Sequence, residues 1–447
     1  MFLAVAAMGV IYSCRDEAAP VEPISVTSFD SAGVRIVVVS GSMAALPEWT
    51  LSETPLTEVD GGAPPYLGTV GRVAFFGEDG LLVTDGQASI LRSFGADGQV
   101  LRLMAGKGDG PGEMRTITQL SITPDDSVYA FDVRQNRFTV FGPDGVFAAT
   151  MSVEPEFAGP ASRVRVAWAL GSDRFLLHGY GLGSEESNGR PTELPTRVER
   201  DGLFRVVSSV GAGLTDLVRF PGESTVHFEG GNTGSPFWNH SIISTNGNRI
   251  VHGTGMPYEL VVRDLDLHVL LVIRWLEQQE VLTPSTIRAV RGPMSASIPE
   301  LRAAAPEAAD RLIDALFDPD MLPDALPALG SVLIDEAGRI WVSQFRLNQD
   351  LRFAMGGGYM NWDERDVWHV LDEDGIPLAR VRLPVATRLL AVRSDRVVVV
   401  ARDDLDVESV RVLTIQPGLP HGARSPVGGP SRHASVTASV IALRPNV

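Results

Sequence analysis

A sequence pattern that repeats between Gly71 and Thr150 constrains the fold more than any other feature. Three aspartates recur at an offset of 47 residues: Asp79 and Asp126, Asp85 and Asp132, Asp97 and Asp144. Between them, short apolar runs alternate with Asp-Gly or Asp-Ser pairs, which is the pattern of antiparallel strands joined by tight turns. A period in the forties with four short strands per repeat is typical of the blades of a β-propeller.

Six turn pairs, each opening a hydrophobic strand, extend this pattern along the chain. They are Asp79-Gly80, Asp126-Ser127, Asp173-Arg174, Asn248-Arg249, Gly338-Arg339 and Asp395-Arg396. We call them anchors and interpret each as the turn between the first and second strands of a blade. The sequence therefore predicts an all-β chain that forms a six-bladed β-propeller over residues 26–418, with a small helical insertion between blades 4 and 5.

Uneven spacing between the anchors predicts four insertions, which are 179–195, 221–238, 277–329 and 347–366. All four fall at one end of the propeller, where long loops usually carry binding residues. The alternative is that they only plug the channel. The third insertion, about 277–329, reads as helical, with Thr283-Pro284 as a helix start and Pro306 as a kink or a break into two short helices. The strand from Asp30 to Val39 is expected to pair with the last blade and close the ring.

The N-terminus reads as an export signal. Phe2–Tyr12 is an apolar run too short to span a bilayer as a helix. It leads into Ile11-Tyr12-Ser13-Cys14, which resembles a bacterial lipobox and implies cleavage before Cys14 and its acylation. We therefore predict a signal peptide over 1–13 and a lipid-anchored tether over 14–25. The alternatives are a cleaved signal without lipid, or a buried apolar N-terminus.

Charge and composition limit the partners. A net charge of −17 argues against nucleic acid, which requires clustered positive charge. Cys14 is the single cysteine, so no intrachain disulfide can form. Residues 419–447 contain no Asp or Glu and show no repeat, which predicts a disordered tail, with a shifted reading frame as the alternative.

Four residues are candidate binding residues: Glu113, Arg115, Arg274 and Arg346. Glu113 and Arg115 follow the glycine-rich loop Gly106–Gly112, which lacks the Lys-Ser/Thr ending of a phosphate-binding loop and reads as a tight crossing between blades. Each of the four could instead form a structural ion pair. The two arginines Arg274 and Arg346 follow strands at the loop-rich end, where a guanidinium could hold an acidic ligand.

Catalytic and metal-binding motifs are not recognisable in the sequence. The histidines lack HExxH or His-x-His spacing, although His178 and His252, after second strands, could reach the axis. The acidic stretches Asp363–Asp366 and Asp403–Asp406 lack the order of a calcium loop and read as solvated turns. No catalytic residue, metal or cofactor is therefore assigned.

Several segments resemble the bacterial six-bladed β-propeller lipoproteins related to NHL-repeat proteins. They are Asp30–Val34, Gly106–Glu113, Gly338–Val342, Asp374-Gly375 with Val381–Pro384, and Arg402–Val410. The resemblance implies the propeller fold and a place outside the cytoplasm, in the periplasm or at the cell surface. It implies no catalytic residue, because members of this family mostly have no assigned activity.

The expected function is a monomeric binding or scaffold module for a peptide, glycan or protein partner, attached to the membrane through lipid at Cys14. The alternative is a metal-dependent hydrolase or lyase with its site on the propeller axis, built from ligands scattered over several blades.

Replacing the cysteine tests the anchor. We expect Cys14→Ala, expressed in the native host, to move the protein from the membrane fraction to the soluble envelope fraction, because the acyl chains supply the attachment. Fractionation followed by immunoblotting measures this, with Ser13→Ala as the control that keeps the cysteine. Unchanged membrane association of Cys14→Ala would rule out lipid as the anchor.

Overall fold

The computed structural model describes residues 22–154, 162–181, 194–208, 215–229, 231–234, 237, 241–296, 302–303, 305–345 and 367–417. In these residues the chain is nearly all β, with two α-helices of more than two turns. The predicted lipidation site Cys14, the candidate Arg346 and the tail 419–447 lie outside the described residues.

Most strands belong to six consecutive antiparallel units, preceded by four N-terminal strands. The N-terminal strands are β1 (Ser25–Ser31), β2 (Val34–Ser40), β3 (Glu48–Leu51) and β4 (Thr57–Val59). Unit 1 contains β5 (Val70–Phe76), β6 (Gly80–Asp85), β7 (Ile90–Phe94), β8 (Val100–Lys107) and the short β9 (Glu113–Met114). Unit 2 contains β10 (Ile117–Ile122), β11 (Val128–Asp132), β12 (Arg137–Phe141) and β13 (Phe147–Ser152). Unit 3 contains β14 (Ser162–Ala169), β15 (Arg174–Gly181), β16 (Thr196–Ser208), β17 (Val218–Phe228) and β18 (Gly231–Gly234).

The second half of the chain continues in the same way. Unit 4 contains β19 (Ile242–Thr245), β20 (Ile250–Gly253), β21 (Glu259–Arg263) and β22 (Val269–Trp275). Unit 5 contains β23 (Leu329–Ile334), β24 (Ile340–Gln344), β25 (Val367–Leu371) and β26 (Pro377–Arg382). Unit 6 contains β27 (Thr387–Arg393), β28 (Arg396–Arg402) and β29 (Glu408–Gln416), with β4 as its fourth strand. Between units 4 and 5 lie helices α1 (Pro284–Ala296) and α2 (Pro306–Leu316).

Each of the six anchors stands at or directly before the start of the second strand of a unit. These second strands are β6, β11, β15, β20, β24 and β28. The Asp-Gly pairs at 97–98 and 144–145 form the turns between third and fourth strands, with Gly98 and Gly145 at φ 73° and 71°. Such positive φ values favour glycine, which explains why the repeat keeps this residue there.

Seven hydrophobic clusters are found in the described residues, and all but the one around the helices lie between two neighbouring units. The clusters between consecutive units include Met114 with Leu120, Phe138 with Phe175, and Trp168 with Ile250. Two more join units 4 and 5 and units 5 and 6. The sixth joins Val73 and Phe75 of unit 1 to Val398 and Val400 of unit 6. The units therefore pack in a cyclic order in which the last one touches the first.

The second strands are buried on both faces because each faces two neighbouring units. In β6, Leu81 and Val83 pack against unit 6, whereas Leu82 packs against unit 2. In β11, Val128 faces unit 1 and Tyr129 faces unit 3. Successive residues of a strand point to opposite faces, so a strand between two cores must be apolar throughout.

The N-terminal strands do not pair as the sequence suggested. The predicted strand at 30–39 forms the hairpin β1–β2, and β2 pairs in parallel with β22 of unit 4 instead of with the last unit. Closure is made by β4, which pairs antiparallel with β29, and by β3, which joins β26 to β29. The β-branched run of β2 needs a buried partner, and the edge of unit 4 supplies one, because Val37 and Val39 join the cluster that contains Ile273 of β22.

The predicted insertions also need correction. Residues 221–238 are not simply a crossing loop, because β17 extends into them as the antiparallel partner of β16, and β18 then pairs with β17. Of the two alternatives for Pro306, a kink or a break, the structure has a break, because Pro306 stands in the first turn of α2. Thr283 caps α1 as expected, with its Oγ1 accepting the Thr286 N–H. The buried face of α2 packs beside Val226 of β17, so the helices lie over unit 3.

The repeated aspartate at the end of the second strand has a structural role. Asp132 is fully buried, and its carboxylate accepts main-chain N–H groups of Arg115, Arg134 and Gln135 at 2.5–3.1 Å. Asp85 accepts those of Gly68, Gln87 and Ala88 in the same way. The side chain therefore ties the crossing from the preceding unit to the turn that follows its own strand.

Asp132→Ala leaves three main-chain donors without this acceptor. We expect it to lower the free energy of unfolding by about 3 kcal/mol. The control Asp97→Ala removes an exposed carboxylate that accepts only the Gln99 N–H, and it should cost less than about 1 kcal/mol. Urea unfolding of both variants measures the difference. Equal losses would contradict the structural role of Asp132.

Candidate functional site

The loop Gly106–Glu113, which the sequence singled out, is held together by its own side chains. Glu113 accepts the Gly110 N–H at 2.8 Å, and a Cβ at Gly108 would collide with the Glu113 carboxylate. Arg137 donates to the carbonyl oxygens of Gly110 and Glu113 at 3.0 and 2.8 Å. The glycines leave room for these contacts, and the Glu113 carboxylate is engaged within its own loop.

The candidate Arg115 is engaged in the same loop. Its guanidinium makes two hydrogen bonds to the carboxylate of Asp109, which also accepts from Gln135 Nε2 at 2.7 Å. The hydrogen bond from Arg115, and then that from Gln135, lower the pKa of the Asp109 carboxyl to about 2. Arg115 thus forms a structural ion pair, the alternative that the sequence left open, whereas Glu113 holds its own loop through the Gly110 N–H.

The candidate Arg274 lies within β22, not after it. Its Nε donates to Glu259 Oε2 at 2.6 Å, and the two residues face each other across β21 and β22. This is a cross-strand ion pair inside unit 4. Of the three predicted binding residues that the structure describes, only Glu113 and Arg115 lie together, in one loop.

The two histidines near the ends of second strands lie within β15 and β20 and are enclosed by aromatic rings. His178 lies near Trp168 and Tyr180, and His252 lies 4.9 Å from Phe204, measured between ring centroids. Burial is the main cause that lowers the pKa of His178 to about 4 and of His252 to about 3. Both are therefore neutral near pH 7. Within the described residues, no group of three or more His, Cys, Asp or Glu side chains is placed to hold a metal ion.

A different set of polar side chains marks the inner face of the ring. The first strands of neighbouring units lie side by side, with β5 beside β10 and β27. Each of β5, β10 and β14 has a β-bulge near its start, where Arg72, Thr118 and Arg165 stand. Bulges redirect side chains and are common next to functional sites. On β27, Arg388 stands directly before a similar bulge.

These side chains link the first strands around the axis, and every bond runs toward the next unit. Arg388 Nη2 donates to the carbonyl oxygen of Val70 at 2.9 Å. Arg72 Nε donates to that of Thr118 at 2.7 Å, and Thr118 Oγ1 donates to that of Arg165 at 3.2 Å. We call Arg72, Thr118 and Arg388 the inner belt. It connects units 6, 1, 2 and 3 in that order.

The position of the belt along the axis follows from the strand register. Val70 lies opposite Asp85, and Ile117 lies opposite Asp132, which are the last residues of their second strands. The belt therefore lies toward the end of the ring where second strands turn into third strands. That is the end where the sequence predicted the long loops.

Arg72 is crowded by protein and by a second cation but keeps contact with solvent. Burial, followed by the charge of Arg388, lowers the pKa of Arg72, and the residue is exposed to solvent. Burial also lowers the pKa of Arg388, and the nearby Glu408 acts in the opposite direction.

Sequence reasoning missed the inner belt, although a signal was present. Arg72, Arg165 and Arg388 interrupt mostly apolar first strands, seven or eight residues before Asp79, Asp173 and Asp395. A cation at nearly the same place in three repeats is the signal that could have marked this set.

No family model and no curated protein matches the sequence. Several solved structures resemble the fold at low similarity. A protein of Bacteroides fragilis inferred to be exported is 12% identical, with 83% of this chain and 99% of that chain covered and a TM-score of 0.46. A member of the DUF4221 family from Bacteroides vulgatus is 9% identical, with 89% and 100% covered and a TM-score of 0.46. A gluconolactonase from Xanthomonas campestris is 11% identical, with 78% and 86% covered and a TM-score of 0.37. Likeness at this level transfers no activity to this chain.

The neutral histidines make stability depend on pH. The unfolded chain binds protons below the ordinary histidine pKa of 6.5, whereas folded His178 and His252 stay neutral down to about 4 and 3. Stability present above pH 6.5 is therefore lost as the pH falls toward these values, by roughly 1–2 kcal/mol for each histidine between pH 6.5 and 5.

Urea unfolding at pH 7, 6 and 5 measures this loss. His178→Phe should remove the part of this pH dependence that is due to His178. An identical slope for wild type and His178→Phe would contradict the burial of a neutral imidazole.

Proposed function

We propose that the chain is a six-bladed β-propeller whose blades are the six units. The cyclic order of the hydrophobic clusters supports this, because six sheets that each bury both faces and return to the first form a ring. The pairing of β4 with β29 supports it further, since an N-terminal strand then completes the last blade. In this proposal α1 and α2 are the small helical insertion between blades 4 and 5.

We further propose that the protein is exported and held at the membrane by lipid on Cys14, facing the periplasm or the cell surface. The apolar run before the cysteine supports this place. In the described residues, no helix is both long and apolar enough to cross a membrane.

We infer that the protein is a binding module and that its ligand enters the channel along the axis. The observation that carries this is the inner belt: Arg72, Thr118 and Arg388 link neighbouring first strands, and Arg72 is exposed to solvent. A channel wall with fixed polar groups suits a ligand or a protruding group of a partner, because concave sites bury most of a ligand's surface. The partner in this proposal is a peptide, glycan or protein that presents such a group to a monomer.

The proposal differs from the sequence-based expectation in the place of the site. Glu113, Arg115 and Arg274 are engaged in ion pairs or loop contacts, so the inner belt replaces them as the candidate contact surface. The loop-rich end remains part of the proposal as the entrance. A hydrolase or lyase on the axis remains the alternative hypothesis, for which the described residues offer no gathered set of metal ligands.

Filling the channel tests the binding role. Ser331 is an exposed residue of the first strand β23, so Ser331→Trp should obstruct the channel, whereas Thr150→Trp adds the same ring on the exposed strand β13. We expect some members of a panel of short peptides and oligosaccharides to raise the melting temperature of the wild type and of Thr150→Trp by several degrees, about 2–3 kcal/mol at a hundredfold excess over Kd. Ser331→Trp should show no such rise.

Near-ultraviolet circular dichroism checks that both tryptophan variants remain folded. Ligands that stabilise Ser331→Trp as well as the wild type would place the binding site elsewhere. A panel that stabilises none of the three proteins would contradict the binding role for peptides and glycans.

A further inference from the structure

We propose that Arg72 and Arg388 form a binding site for one oxyanion group, a carboxylate or a phosphate, at the end of the ligand that enters the channel. This inference rests on the channel-binding role proposed above and adds the chemical class of the ligand. It follows from the free donors of the two guanidinium groups, from their charge, and from their contrast with the other arginines.

Both guanidinium groups have N–H donors for which the described residues supply no acceptor. A guanidinium carries five N–H donors in a fixed fork. Arg72 uses Nε for the Thr118 carbonyl, and no acceptor among the described residues faces its Nη1 and Nη2 groups. Arg388 uses Nη2 for the Val70 carbonyl, and its buried Nε–H has no acceptor in the described part of the chain. Unused N–H groups on two neighbouring forks match the several lone pairs of an oxyanion.

The existing bonds hold both side chains in place. One N–H of each arginine is fixed to a main-chain carbonyl on the neighbouring first strand, so the other N–H groups keep their direction. Little side-chain entropy then remains to be lost when a ligand binds, which favours affinity. A pair of mobile surface arginines would lack this advantage.

The charges on this part of the axis do not balance. The charge of Arg388 lowers the pKa of Arg72, so the two guanidinium groups are near each other, and Glu408 is the one carboxylate that acts on Arg388 among the described residues. Arg388 Nη2 is bonded to the carbonyl of Val70, two residues before Arg72, and Glu408 Oε2 accepts the Val70 N–H at 2.7 Å. Two cations thus lie near one carboxylate. An incoming anion would supply the missing negative charge.

The contrast with the rest of the chain supports a ligand role. Most arginines with a described polar environment have a carboxylate partner within 4 Å, among them Arg35, Arg115, Arg174, Arg249, Arg274, Arg339, Arg393, Arg396, Arg402 and Arg411. In the described residues, neither Arg72 nor Arg388 has such a partner. The protein carries a net charge of −17, so carboxylates are abundant, and their absence here is a local property. Arginines kept free of carboxylates in a channel are available to an external anion.

Titration with simple oxyanions tests the site. The probes are inorganic phosphate and malonate, added to the full exported chain at constant ionic strength kept with sodium chloride, since screening alone weakens surface contacts. We expect a saturable rise in melting temperature with at least one probe. Which probe binds distinguishes a phosphate-bearing ligand from a carboxylate-bearing one.

Variants assign the effect to the belt. Arg72→Gln and Arg388→Gln should each weaken the binding by about tenfold or more, because each removes a charged donor group. Arg72→Lys keeps the charge but loses the fork, so we expect an intermediate affinity. The matched control is Arg102→Gln, which removes an exposed arginine from β8 and should bind as the wild type does.

Folding of each variant is checked by circular dichroism without the probe, and Arg72→Lys keeps the test decisive if a glutamine variant fails to fold. If Arg102→Gln lost as much affinity for the probe, the binding would be due to general surface charge, and the proposed site would be wrong. No saturable binding of either probe would also overturn it. If Ser331→Trp still abolished binding of a peptide or glycan in that case, the channel role would stand and only the anion class would be wrong.

Discussion

Burial of both faces of every sheet is the interaction on which the rest of the structure depends. A single unit leaves apolar residues on two sides, as Leu82 and Val83 of β6 show by packing against different neighbours. An open row of such units would expose one apolar face at each end, which is unfavourable in water. The cyclic order removes both exposed faces, so the contact between units 6 and 1 decides the stability of the whole.

Closure uses several kinds of contact at once. The cluster that joins Phe75 to Val400 supplies apolar burial, and β4 adds a backbone ladder to β29. Polar contacts reinforce the same interface, because Arg388 and Glu408 bind the carbonyl and the N–H of Val70. Both main-chain polar groups of Val70, in the first strand β5, are therefore hydrogen-bonded at the place where unit 6 meets unit 1.

This same closure places charge where ligand binding is proposed. A guanidinium inside a packed core would be costly unless paired, so isolated arginines on first strands require a water-accessible wall. The bulges of β5, β10 and β14 coincide with Arg72, Thr118 and Arg165, and both arginines are exposed to solvent. Arg72 and Arg388 thus contribute to the ring and keep N–H donors for a ligand.

Local patterns in the sequence predicted the strands and turns better than the site. The anchors found every second strand, because strict alternation and positive-φ glycines such as Gly98 leave a clear periodic signal. The partner of β2 could not be predicted, since a β-branched run fits any apolar sheet edge and the choice depends on tertiary contacts. Glu113 and Arg115 were visible as a motif but bind their own loop, whereas Arg72 and Arg388 are 316 residues apart in sequence and meet only when the ring closes.

A crystal structure of residues 22–417 grown with selenate, read at the selenium absorption edge, tests the central claim most directly. The account predicts six sheets in a closed ring and an anomalous peak on the axis within hydrogen-bonding distance of Arg72 and Arg388. An open arrangement of the sheets, or a closed ring in which a protein carboxylate fills the space between the two guanidinium groups, would contradict it.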